Sequence, residues 1–227
     1  MSADVRCINL KIEVFDMPSE LNMLAELTQL SLSTIDFKKS ISQQSQEEQE
    51  SLVLSYRAEI RSKLLFAQNE LSGHYSKKIT DFILFLVISS IDEKCKTILN
   101  EENSTAKWSD LQVEFFQRSD GGEYVFGILD EIIANKIYPK ICYELSLVIL
   151  QEGFLGKYYQ NPHHSERHQY MKCIKDILND LHNSMPESLS FIQETRLPQD
   201  SNNQRFKFVT VIVIVLAIAI PVAAYLF

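Results

Sequence analysis

Acidic residues set into apolar runs are the places where this chain could do chemistry. Asp92-Glu93 follows the run Phe82–Ile88, and Glu93 falls on the helical stripe of Ile79, Phe82 and Leu86. A carboxylate on a core-facing stripe requires a partner. Successive helical residues point about 100° apart, so Asp92 and Glu93 do not by themselves make a general acid/base dyad. The readings are, in order, a buried structural acid, a residue of a partner-binding cleft, and a catalytic group. Glu144 repeats the pattern inside Ile141–Leu150, on the face of Ile141, Leu145 and Val148. Glu93 and Glu144 are therefore both expected to be buried and bonded, with Lys157 or Tyr158 as candidate partners for Glu144.

Other constellations are weaker. His163, His164 and His168 cluster, but no HExxH is present and no carboxylate is placed as a third ligand, so no metal site is expected. The four cysteines, Cys7, Cys95, Cys142 and Cys173, form no CxxC pair. Reduced and mostly buried thiols are expected. Gly121-Gly122 lacks the phosphate-loop pattern and follows no strand; a helix-breaking turn with positive φ is expected there, and the same at Gly153 and Gly156. No nucleophile motif occurs, so no catalytic residue and no cofactor are expected.

The elements that position these residues are helical. With only 6 Gly and 6 Pro, an all-β fold is disfavoured. The net charge of −8 argues against nucleic acid as a partner. The periodicity predicts about seven helices. The first starts at Pro18-Ser19-Glu20 and carries Leu21, Leu24, Leu27, Leu32 and Ile35. After a polar stretch over 40–50, a second carries Leu52, Tyr56, Ile60 and Leu64, and Gly73 punctuates. The third, about Tyr75–Leu99, is apolar all round over 82–88 and belongs at the centre. A short helix capped by Ser109 carries Leu111, Phe115 and Phe116. The fifth holds Ile128–Ile133, the sixth runs Ile141–Gln151, and the last runs from Ser165-Glu166 through Tyr170, Ile174, Ile177 and Leu181. The expected fold is all-α, a helical bundle domain of two small three-helix bundles.

Residues 208–227 contain no charge and would span roughly 30 Å as a helix, the thickness of a bilayer core. Arg205 and Lys207 precede the run, which places the preceding chain in the cytoplasm by the positive-inside rule. The expected organisation is a cytoplasmic helical domain over 1–200, a linker over 201–207 and a transmembrane tail anchor over 208–227.

Three segments resemble the DotU family, called TssL in type VI secretion systems. The first is Ile88-Ser-Ser-Ile-Asp-Glu93. The second comprises Trp108, Glu114-Phe-Phe116 and Gly121-Gly-Glu123-Tyr-Val-Phe126. The third runs from Tyr143-Glu144-Leu to Gly153-Phe154-Leu-Gly156-Lys157-Tyr158. Two positions depart from the family pattern: Glu152 stands where Leu is usual, and Tyr159 where Arg is usual. The resemblance implies a cytoplasmic domain of two small bundles and a bacterial inner-membrane component of a type VI or type IVB secretion apparatus. It further implies an IcmF/TssM-like membrane partner and baseplate contacts; a homodimer is a separate expectation. The implied role is structural docking without enzymatic activity. The alternative is a tail-anchored helical regulator that grips a partner's amphipathic helix in a groove.

Overall fold

A helix that is apolar on every side has to lie where every side is covered. The computed structural model describes residues 20–183, and all described elements are helical. They are α1 (Glu20–Leu32), α2 (Thr34–Ile41), α3 (Gln46–His74), α4 (Lys77–Glu101), α5 (Leu111–Phe116), α6 (Gly121–Ala134), α7 (Lys140–Gln151), a 3-10 turn (Gly156–Tyr158) and α8 (Ser165–Asn183). Every residue of α4 from Phe82 to Asp92 is buried. Around it pack α1, α2, α3, α5, α6 and α7.

The helices expected as two small bundles packed together share one core. Residues 20–182 form one packed unit with a continuous core. The physical reason is α4 itself: because it takes neighbours on all sides, the other helices share its core. The all-α class stands. The expected linker and transmembrane anchor lie outside the described residues, as does Cys7. Among the described residues, no helix is long and apolar enough to cross a membrane.

Helix boundaries follow local side-chain chemistry. The single first helix expected from the stripe is broken near Ser33. Ser33 Oγ donates to the Leu30 carbonyl at 2.7 Å, and Thr34 Oγ1 donates to the Ser31 carbonyl at 2.8 Å. Such back-bonding bends helices. Ser33 also meets the Tyr56 hydroxyl at 2.8 Å, which ties the bend to α3. At the start of α3, Glu48 accepts from the Ser45 backbone N–H at 3.0 Å, half of a capping box. Gly73 lies in the last turn of α3 rather than between helices.

Candidate functional site

Asp92 is the more deeply buried of the two acids that end the apolar stretch of α4, at 1 % exposed. It accepts from Trp108 Nε1 at 2.7 Å and from the backbone N–H groups of Leu111 and Gln112, each at 2.9 Å. It therefore caps α5 from another helix. The expected cap Ser109 has no such role; Asp110 occupies the N-cap position without a side-chain capping bond. Trp108 is held against Phe37 and Tyr56, with ring centroids 6.3 and 6.1 Å away. Burial pushes the Asp92 carboxyl above its ordinary range, while the three donors pull the other way.

Glu93, one residue on, faces the loop after α7. Its two carboxylate oxygens accept from the backbone N–H groups of Leu155 and Gly156, both at 2.7 Å. Its pKa is also raised by burial, against those two bonds and the positive charge of Arg167. The same loop is gripped from its other side. Arg167, buried near the start of α8, donates to the Phe154 carbonyl at 3.0 Å and to the Leu150 carbonyl. One anion, Glu93, partly buried where full burial was expected, and one buried cation thus hold the backbone groups of a single loop.

Glycines let the loop approach so closely. Gly153 has φ +100° and Gly156 φ +50°, as expected. Gly121 and Gly122 differ from expectation: they are the first residues of α6 and neither has positive φ. Their requirement is space. A Cβ on Gly121 would strike Gln112 Oε1 and lie 2.9 Å from Ser89 Oγ; one on Gly122 would lie 3.0 Å from the Gly156 carbonyl carbon. Glu123 is exposed in the first turn of α6, where a negative charge suits the helix dipole.

Aromatic side chains complete the loop. Phe154 is buried on Phe126, and Tyr158 meets the Phe126 ring edge-on at 4.8 Å. Lys157 Nζ sits 5.1 Å from the ring centroids of Phe126 and Tyr158. Tyr158 donates to Glu166 at 2.7 Å. The first departure from the family pattern, Glu152, has its own partners: it accepts from Lys94 at 2.6 Å and from Ser31 Oγ at 2.8 Å. The second, Tyr159, is half exposed on the rim.

One expectation is corrected here. Glu144 is only partly buried and pairs with Lys140 on its own helix at 2.7 Å, not with Lys157 or Tyr158. Ile141 and Leu145 of its stripe are buried, but Glu144 lies at the stripe's edge, where a lysine one turn back reaches it. Cys95 and Cys142 are buried, and burial pushes the Cys142 thiol up to about 12, but Cys173 is exposed on α8. Of the histidines, His164 stacks on Tyr158 at 4.9 Å. Arg167 escaped the sequence reading, although the spacing of Tyr170, Ile174 and Ile177 extends back onto it.

What the arrangement does is build shape. Asp92, Glu93, Trp108, Gly121, Gly122, Gly153, Phe154, Gly156 and Tyr158 converge on the end of α4 and the loop before α8; Glu144 does not join them. A family model described as "Type VI secretion system protein DotU" matches residues 26–227. No curated protein matches. Among solved structures, DotU from Francisella novicida is similar at 34 % identity, over 67 % of this chain and 97 % of that one, with a TM-score of 0.59. The resemblance carried by the Asp-Glu, Gly-Gly and Gly-Phe-x-Gly segments thus extends to the whole packed unit, and the chain belongs to the DotU family of type VI secretion system proteins.

Proposed function

We propose that this protein is a non-enzymatic inner-membrane docking component of a bacterial type VI secretion apparatus. Its cytoplasmic helical domain would bind an IcmF/TssM-like membrane protein and components of the baseplate. One observation carries the reading: Asp92 and Glu93, the acids of the family motif, are spent on backbone and indole N–H donors. Such acids pre-organise a surface; a general acid or base keeps a proton position open to substrate. The uncharged run over 208–227 supports single-pass insertion with the domain in the cytoplasm.

The test is affinity purification of the full-length chain from the membranes of its own host after gentle detergent extraction. A large, multi-span inner-membrane protein is expected to co-purify in fixed proportion. Recovery of the chain without such a partner, under conditions that preserve other envelope complexes, contradicts the proposal.

The second reading, a groove that grips an amphipathic helix, draws on a separate observation. An open groove of about 900 Å³ runs between α1–α2 and α3, away from the Glu93 loop.

A further inference from the structure

We infer that this groove receives a basic amphipathic helix from a partner protein, which rests on reading the domain as a docking unit. Its α3 wall presents Leu52, Tyr56, Glu59, Lys63, Phe66 and Glu70, spaced by three or four residues along one face. From Leu52 to Leu71 that wall is about 28 Å long, which accommodates a helix of roughly 18 residues. Leu27, Leu30 and Phe37 form the floor and are buried. Phe66 stands on the wall 61 % exposed, a large apolar side chain that α3 does not need for its own packing.

Both walls are helices whose backbone groups are satisfied internally. An extended segment laid here would leave its own N–H and C=O groups unpaired, whereas a helix brings them already bonded. Charge selects the kind of helix. Glu26, Asp36, Glu59 and Glu70 line the groove, with Lys63 as the cation among the lining residues. Glu59 is bound to Lys63 at 2.6 Å and Asp36 to Lys39 at 3.2 Å, while Glu26 and Glu70 make no ion pair among the described residues. A helix with an apolar stripe and flanking lysines or arginines therefore meets both the hydrophobic walls and the uncompensated acids.

The full-length chain in detergent is titrated into a fluorescein-labelled 18-residue helical peptide with a leucine stripe flanked by lysines. A second peptide carries glutamates in place of the lysines. Fluorescence anisotropy is expected to show binding of the lysine peptide, weakening with salt, and at least tenfold weaker binding of the glutamate peptide. Phe66→Ser should weaken the lysine peptide about tenfold. Glu26→Lys with Glu70→Lys should shift preference towards the glutamate peptide. Leu54→Ser, at an exposed α3 position outside the groove, should change nothing. No binding of the lysine peptide, or equal binding after both groove variants, overturns the inference. Co-purification of the membrane partner with no peptide binding rejects the groove and leaves the docking function standing. Peptide binding without a membrane partner does the reverse.

Discussion

Asp92 and Glu93 show how adjacent acids can serve two separate structural tasks. Their side chains diverge around α4, so one caps α5 and the other holds the Leu155-Gly156 turn. Asp92→Ala leaves three buried donors without their acceptor and should cost about 3 kcal/mol. Trp108 is the chain's single tryptophan, so its emission should shift to the red in that variant while far-ultraviolet dichroism is largely kept. Unchanged emission and unchanged thermal unfolding would refute the capping role. The loop glycines give a graded test. At Gly153 a Cβ meets nothing within 4 Å, so Gly153→Ala pays only backbone strain, about 1 to 2 kcal/mol. At Gly156 the Cβ would also lie 2.6 Å from the Gly122 carbonyl oxygen, and Gly156→Ala should cost about 3 kcal/mol or more. Equal losses in urea unfolding would contradict the close backbone crossing. Glu93 was legible as a core-facing acid because α4 is covered on all sides. Glu144 was misjudged because a stripe gives direction but not where the neighbouring helix stops.

Helix α4 and the residue that follows α7 are joined by a partly buried ion pair. Lys94 and Glu152 are 19 % and 14 % exposed, and Ser31 of α1 completes the set. Removing one charge strands the other. Glu152→Leu and Lys94→Met should each cost about 2 kcal/mol, and the double variant should return to within about 1 kcal/mol of the parent. Strictly additive losses would show that the two charges act independently. Helix α5 is tied to α3 by Glu114, which accepts from Arg57 at 2.8 Å and from Arg61. Arg61 and Arg57 hold its carboxyl below the usual value of 4.5. A depressed folded-state pKa contributes stability above the unfolded pKa, and that stability is lost as pH falls through the folded one. Glu114→Gln should therefore cost about 1 kcal/mol at pH 7 and progressively less below pH 4.5. A penalty constant from pH 7 to pH 3 would rule out the ion pair as its source. Element types were readable from periodicity; boundaries were not. The bend at Ser33 comes from hydroxyl back-bonding and a tyrosine on α3, while Gly121 is required by Gln112 and Ser89 and Gly122 by Gly156 in a loop some thirty residues on.

For the whole molecule, one apolar helix decides the architecture. The uninterrupted run Phe82–Ile88 predicted a central α4, and the structure places six helices around it. What periodicity could not show was that these helices share one core, since a stripe does not name its partner. The motif segments that carry the family resemblance were legible individually, yet their meeting at one loop depends on Arg167, which no motif includes. On the function proposed above, the domain is a platform whose motif acids serve shape and which joins a secretion apparatus. Deleting the gene and assaying release of the apparatus's effectors tests this most directly, with complementation by the wild-type chain and by Gly156→Ala. The account predicts that release is abolished by deletion, restored by the wild type and reduced by the loop variant in proportion to lost partner assembly. Undiminished release from the deletion strain would contradict it.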